Sequence, residues 1–342
     1  MLVVMNKLNI RKESLPLHTL FGISRSRVSA VEVIVVEIED ESGLKGWGEC
    51  RPYARYDETP ESVTKQIESV LDSVEAGVSR RELMRLLPAG AARFAVDSAL
   101  WDLEAKQKQT SVWDIFLNEG GIAPALPTMQ TIGLDTPEIM AEESLKIPTG
   151  QVIKIKLGGD SIDSERIQAI HTARPDARLV VDANEGFDIE TFKNFLSKLP
   201  EGSVHMIEQP LPSKQDSDLK GLDTKGVLLC GDESIHTAED IVAKQDIYDV
   251  MNIKLDKSGG LTHGMDMLQT IQEINKTRKQ PLQTMVGCMV SSSLSIQPAF
   301  LLSQFVEYVD LDGPWWLKED RAGGVSYSHG KMSSGTLWGE SI

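Results

Sequence analysis

Two lysines one residue apart, Lys154 and Lys156, close a short apolar run in VIKIK (152–156). Further along, single acids close similar runs: Asp182 after RLVV, Glu208 after VHMI and Asp232 after VLLCG, and Lys254 then ends VMNIK. The steps from Lys156 to Asp182, Glu208, Asp232 and Lys254 are 26, 26, 24 and 22 residues. Three carboxylates brought together make a hard oxygen site, and Mg²⁺ favours a few carboxylates with positions left for water and substrate oxygens. A divalent ion can stabilise the charge that develops when the carbon beside a carboxylate loses its proton. The lysines flank the acids in the series, and a lysine near other cations has its pKa lowered, so that it can serve as a base near neutral pH. Two such lysines on opposite sides of one carbon would take a proton from one face and return it on the other. That is the layout of a racemase or epimerase.

These residues need a frame that repeats with their own spacing. Strands are expected at 126–132, 152–156, 178–182, 204–208, 227–232, 250–254, 282–287 and 306–310, with helical stretches between them. Eight βα-type units suggest a TIM-like barrel, in which the C-terminal ends of the strands converge on the active site. Side chains two apart on a strand share a face, so Lys154 and Lys156 point into one cavity. The first third reads differently. VEVIVVEIED (31–40) and the stretch 41–50 read as strands, followed by helices over 60–78, 80–86 and 90–108, an α+β pattern. The division expected is an α+β unit at 1–123, a barrel at 124–312 and a C-terminal segment at 313–342 that returns to the first unit.

The bulk numbers narrow the function classes. A net charge of −16 over 342 residues argues against nucleic acid and against an anionic membrane surface. The three cysteines, Cys50, Cys230 and Cys288, are far apart and form no CxxC pair, which suits a reducing compartment. With no run long enough for a signal peptide or a membrane helix, the cytoplasm is the expected location. The six histidines show neither HxH nor HExxH spacing.

IKIKLGG, VVDANEGF, MIEQPLP, GDES and NIKLDKSGG resemble the successive strand-end motifs of the muconate-lactonizing-enzyme subgroup of the enolase superfamily. PLHTLFGISR, GWGECRPYARY and PAGAARFAVDSALWDLEAK resemble its N-terminal capping domain. The resemblance therefore covers nearly the whole chain and implies an α/β fold, a modified TIM barrel (β/α)7β under an α+β capping domain. It implies Asp182, Glu208 and Asp232 as ligands of one Mg²⁺ per subunit, Lys156 and Lys254 as acid/base catalysts, and Lys154 as a companion that holds the substrate carboxylate. Asn184 and Glu233 are expected to support the ligands.

Within the superfamily, Asp310-Leu311-Asp312 before Gly313-Pro314 resembles the DxD motif of the dipeptide epimerases, where the aspartates hold the substrate α-ammonium. A free dipeptide carries a carboxylate and an ammonium, so an anion facing the metal site makes physical sense. The implied reaction is 1,1-proton transfer at the α-carbon of the C-terminal residue of a small dipeptide, L-Ala-D/L-Glu first. Other hydrophobic or cationic dipeptides, or an o-succinylbenzoate synthase or cycloisomerase reaction, are the alternatives. A glutamate side chain needs a cation, and in the family it comes from a mobile loop of the capping domain. Arg25 and Arg27 both lie in the corresponding stretch, and the sequence does not choose between them. Thr131, Met289 and Ser291 are further lining candidates, with packing an equally good account of each. Tyr53 and Tyr56, on the second capping loop, read as readily as surface aromatics. Family habit implies a homo-oligomer.

Overall fold

The computed structural model describes residues 6–23, 26–117 and 122–340. The chain opens with an antiparallel sheet of β1 (Lys7–Ile23), β2 (Ser26–Glu39) and β3 (Lys45–Cys50), in that order. β2 carries the β-branched run of the sequence, and Val33, Ile34, Val35, Val36 and Ile38 are all buried, so both of its faces are covered. Four helices follow: α1 (Pro60–Glu68), α2 (Leu71–Glu75), α3 (Arg80–Leu86) and α4 (Ala91–Gln107). The single helix expected over 60–78 is broken. The Ser69 hydroxyl donates to the Gln66 carbonyl at 2.6 Å, and the chain restarts at Leu71. α4 packs on β3 at backbone contact, because a Cβ at Gly46 or Gly48 would lie 2.1 or 2.0 Å from the carbonyl oxygens of Ala99 and Ala95.

After α5 (Val112–Leu117), the expected first barrel strand divides in two. β4 (Leu126–Pro127) joins a small sheet with the tail, and only β5 (Gln130–Ile132) belongs to the barrel. The change of sheet follows Pro127, whose ring removes a ladder donor. The parallel sheet continues through β6 (Ile153–Lys156), β7 (Leu179–Asp182), β8 (Val204–Glu208), β9 (Leu228–Gly231), β10 (Val250–Lys254), β11 (Gln283–Gly287) and β12 (Tyr308–Asp310). The ends of the sheet meet where the Met129 N–H donates to the Val309 carbonyl at 2.9 Å. The crossovers are α6 (Pro137–Lys146), α7 (Asp163–Ala173), α8 (Ile189–Lys198), a 3-10 segment at Ser213–Leu219, α9 (Ala238–Lys244), the pair α10 (Leu255–Ser258) and α11 (Leu261–Asn275), and α12 (Ser293–Leu302). This is the (β/α)7β plan, with a 3-10 turn standing in for one helix.

The period-two rule sorts the strand residues into two shells. Ile153, Ile155, Leu179, Val181, Ile207 and Ile253 face the helices in the main core. Met129, Val180, Met206, Cys230, Val250, Met285 and Tyr308 form a separate cluster inside the barrel. All of these except Met285 lie two or four positions before a polar residue at or just past the strand end. The apolar plug therefore forms a floor beneath a charged upper layer. The tail lies against the first unit. The Lys318 N–H donates to the Pro16 carbonyl at 2.8 Å, and the Trp338 indole donates to the Ser98 carbonyl at 3.0 Å.

Candidate active site

Strand register brings the sequence candidates to one end of the barrel. Lys156 pairs with Asp182, Asp182 with Glu208, and Gly287 with both Lys254 and Asp310. Asp232 departs from equal height. Glu208 pairs with Cys230, so Asp232 lies two residues further up on the same face, just past the end of β9. Lys154, Asp182, Glu208 and Asp232 are at most 2% exposed.

Each ammonium has settled among carboxylates. Lys154 Nζ lies 2.6 Å from Asp310 Oδ2, 2.5 Å from Glu208 Oε2 and 3.2 Å from Asp182 Oδ2. Lys156 Nζ lies 2.5 Å from Asp182 Oδ2, and Lys254 Nζ lies 2.6 Å from Asp232 Oδ2. The three acids therefore do not meet around a common point, and among the described residues no three acid, histidine or cysteine side chains form a metal cluster. Like charges repel in a buried site, and each carboxylate takes the nearest cation instead. The donor set still fits a hard divalent ion. It is three buried carboxylates from adjacent strands, and Glu208 Oε2, though beside Lys154, forms no directed hydrogen bond.

The electrostatics reverse one expectation from the sequence. Burial pulls the Lys254 ammonium down, but Asp232 and Glu208 outweigh it and hold its pKa well above the usual lysine value. Lys154 behaves likewise, through Asp310, Glu208 and Asp182 against burial. The lowering expected from neighbouring cations is absent because the nearest neighbours are anions. Burial together with Asp182 pushes Glu208 up to about 7, and burial with Asp310 pushes Asp312 up to about 6.

Several supports were not read from the sequence. Lys257, fully buried three residues after Lys254, contacts Asp232 Oδ1 at 2.5 Å and also the Asp232 carbonyl. Asn252, on the inward face of β10, donates from Nδ2 to Glu208 Oε1 at 2.7 Å. Gln209 accepts from the Asp232 N–H at 2.9 Å through Oε1 and donates through Nε2 to Ser234 and Tyr248, both at 2.9 Å. It thereby locks the end of β8 to the end of β9. Asn184, Glu185 and Gln209 have φ of 44°, 63° and 39°, a left-handed strain concentrated at these strand ends. The signal for Asn252 was available, because it lies two residues before Lys254 on β10 and so shares its face; Lys257, on α10 past the strand end, had no such signal.

The remaining candidates divide. Asn184 donates its backbone N–H to Asp182 Oδ1 at 3.0 Å and its amide to Glu233 Oε1 at 3.4 Å. The Thr131 N–H donates to Asp312 Oδ2 at 2.7 Å. A pocket opens above the acids. Thr131, Met289, Asn184 and Glu233 line it, together with Lys154, Lys156, Lys254, Asp310 and Asp312. Ser291 does not. It is fully buried past the end of β11, and its hydroxyl donates to the Met289 carbonyl at 3.2 Å. Tyr53 and Tyr56 are cavity walls rather than surface aromatics, and Tyr56 packs edge-on against His236 with centroids 4.7 Å apart. Arg51, given no role from the sequence, also lines the cavity. Arg25 lies outside the described residues, as does the side chain of Arg27.

Known proteins share this architecture. The Enolase C-terminal domain-like family matches residues 141–339, and the Mandelate racemase / muconate lactonizing enzyme N-terminal domain matches residues 5–116. The L-Ala-D/L-Glu epimerase of Escherichia coli (strain K12) is 40% identical over 96% of this chain and 99% of its own. The N-acetyl-D-glutamate racemase of a Pseudoalteromonas species is 40% identical over 90% of this chain and 95% of its own. A crystal structure of an enolase family member from Agrobacterium tumefaciens, with homology to dipeptide epimerases and bound to sodium and L-Ala-L-Glu, superposes with a TM-score of 0.91. It is 38% identical and covers 98% of this chain and 100% of its own. With the fold and both sequence domains matched, the chain belongs to the mandelate racemase/muconate lactonizing enzyme family of the enolase superfamily.

Proposed function

We propose that this protein is a Mg²⁺-dependent dipeptide epimerase that inverts the α-carbon of the C-terminal residue, with L-Ala-D/L-Glu as substrate. The observation that carries the reading is the placement of the two lysines. β6 and β10 are four strands apart in the eight-stranded order, so Lys156 and Lys254 face each other across the barrel. A carbon held between them presents one face to each.

Asp182, Glu208 and Asp232 would hold one Mg²⁺ per subunit. When bound, the ion would supply positive charge beside the substrate carboxylate, and it would offset the carboxylate field that holds Lys254 protonated. Lys154, already between Asp182, Glu208 and Asp310, holds the substrate carboxylate. One of Lys156 and Lys254 removes the α-proton as a neutral amine, and the other delivers a proton from its ammonium to the opposite face. Asp310, with Asp312 beside it, receives the substrate ammonium in place of the Lys154 contact. The floor of apolar side chains keeps water from entering below. L-Ala-L-Glu incubated in D₂O with Mg²⁺ should exchange the glutamyl Cα–H and accumulate the D epimer, and chelation should stop both. Failure of a broad dipeptide panel to exchange sinks the reading.

The similarity to an N-acetyl-D-glutamate racemase favours a second reading, an N-acylamino acid as substrate. The two differ at the amino end, since an acylated nitrogen carries no charge for Asp310 to hold. Asp310→Asn should lower kcat/KM for L-Ala-L-Glu about 100-fold, the order expected when one partner of a buried charge pair is neutralised. Equal losses on N-acetylglutamate and on the dipeptide would show that Asp310 does not bind an ammonium.

A further inference from the structure

The cavity carries one more cation, from the capping unit. Arg51 follows β3 directly and lines the same space as Lys154, Lys156 and Lys254. Its backbone N–H donates to Asp256 Oδ1 at 2.8 Å, two residues beyond Lys254. Its guanidinium donates to the Val290 carbonyl at 3.3 Å and lies 5.8 Å from the centre of the Tyr53 ring. These contacts place it over the ends of β10 and β11.

The other cations at the site are spent. Lys154, Lys156, Lys254 and Lys257 each lie within 2.6 Å of a carboxylate oxygen. Among the described residues Arg51 has no carboxylate partner within ion-pairing distance, and its guanidinium makes the single hydrogen bond to Val290. A guanidinium offers five N–H donors in a planar fork that matches a carboxylate. Asp256 attracts the guanidinium through space but forms no ion pair with it, and a buried charge whose donors are mostly unmatched is costly, so a charge kept in a cavity wall points to an anionic ligand. Burial indeed works against this charge and lowers its pKa from the usual value.

The substrate placement proposed above says which anion. With the α-carboxylate held among the lysines and the ammonium at Asp310, the side chain of the C-terminal residue is left facing the cap. We propose that Arg51 selects an acidic side chain there, forming a forked pair with the γ-carboxylate of a C-terminal glutamate. This rests on the dipeptide reading above. It assigns a side-chain contact to the residue after β3, independent of any that Arg25 or Arg27 makes.

The test compares L-Ala-L-Glu with L-Ala-L-Gln, which differ in charge and hardly in shape. kcat/KM is measured by Cα–H exchange in D₂O for the wild type, Arg51→Gln and Arg51→Lys. The glutamate-to-glutamine ratio should fall about 100-fold in Arg51→Gln, mainly through KM, and recover in part in Arg51→Lys. An unchanged ratio overturns the proposal. So does a parallel loss on both substrates, the mark of a merely structural role. If the wild type exchanges no dipeptide, the reading of the reaction has failed and the binding arm decides Arg51. A rise in Tm with L-Ala-L-Glu that exceeds the rise with L-Ala-L-Gln, and that Arg51→Gln abolishes, supports the assignment. Equal rises, or none, remove it.

Discussion

Lys156→Ala and Lys254→Ala should each lower epimerisation at least about 1,000-fold, within the range that positioned acid/base groups contribute. The informative result is the asymmetry between them. In the proposed mechanism each lysine serves one face of the α-carbon, because β6 and β10 are opposite in the barrel. Removing one leaves the other able to take a proton from the epimer whose Cα–H points toward it. One variant should therefore still exchange the L epimer in D₂O without inverting it, and the other should exchange only the D epimer. NMR of the Cα–H signal on each pure epimer resolves the two. If both variants exchange the same epimer, or if both keep inversion, the lysines do not divide the two faces and the mechanism falls. Asp182 and Asp232 lose a charge partner in these variants, so circular dichroism and Tm must accompany the kinetics.

Arg321→Met should cost about 3–5 kcal/mol of stability, the range for breaking a buried ion pair from one side. Glu49 is fully buried on β3, and Arg321 from the tail reaches its Oε2 with Nη2 at 2.6 Å and Nε at 3.0 Å. Ser292, at the start of α12, donates its backbone N–H to Glu49 Oε1 at 2.8 Å, and Arg321 also reaches Glu13 on β1 at 2.7 Å. One ion pair thus ties the capping sheet, the barrel and the tail. Burial already raises the Glu49 pKa against the pull of Arg321. Without the guanidinium it should rise further. A carboxyl whose folded pKa is raised contributes stability at low pH that is lost as pH rises through that pKa. The variant should accordingly be more stable near pH 5 than near pH 8 in urea unfolding, and Glu49→Met on top should restore part of the loss. A single variant within about 1 kcal/mol of wild type, with no new pH dependence, would show that the charges are not energetically linked.

The positions of the charged groups were legible in the sequence wherever strand alternation governs them. Ile153 and Ile155 face outward, so Lys154 and Lys156 must face inward, and the same rule places Val180 below Asp182 and Met206 below Glu208. What alternation cannot give is which ammonium meets which carboxylate. Lys154 reaches Asp310 across 156 residues of sequence, a partnership set by closure of the barrel rather than by local pattern. At Lys154 and Lys254 the expected lowering reversed for this reason, since it assumed cations as nearest neighbours. Ser291 failed because β11 ends at Gly287 and the loop beyond it turns the hydroxyl back onto its own backbone. The fourth crossover was opaque for another reason. Ser213–Leu219 has neither an apolar stripe nor a capping pattern, and it forms a 3-10 turn.

The backbone contact between β3 and α4 has a consequence for how substrate preference can change. Gly46 and Gly48 press one side of β3 onto the helix, and Glu49 fastens the other side to the tail and to Ser292. Residue 51 therefore sits at the tip of a rigid arm that is clamped two and three positions behind it. Exchanging the tip disturbs neither clamp, so the arm can present a cation, an anion or an apolar group to the same point in space. A scaffold built this way separates the chemistry of inversion, rooted in the barrel, from the choice of what is inverted.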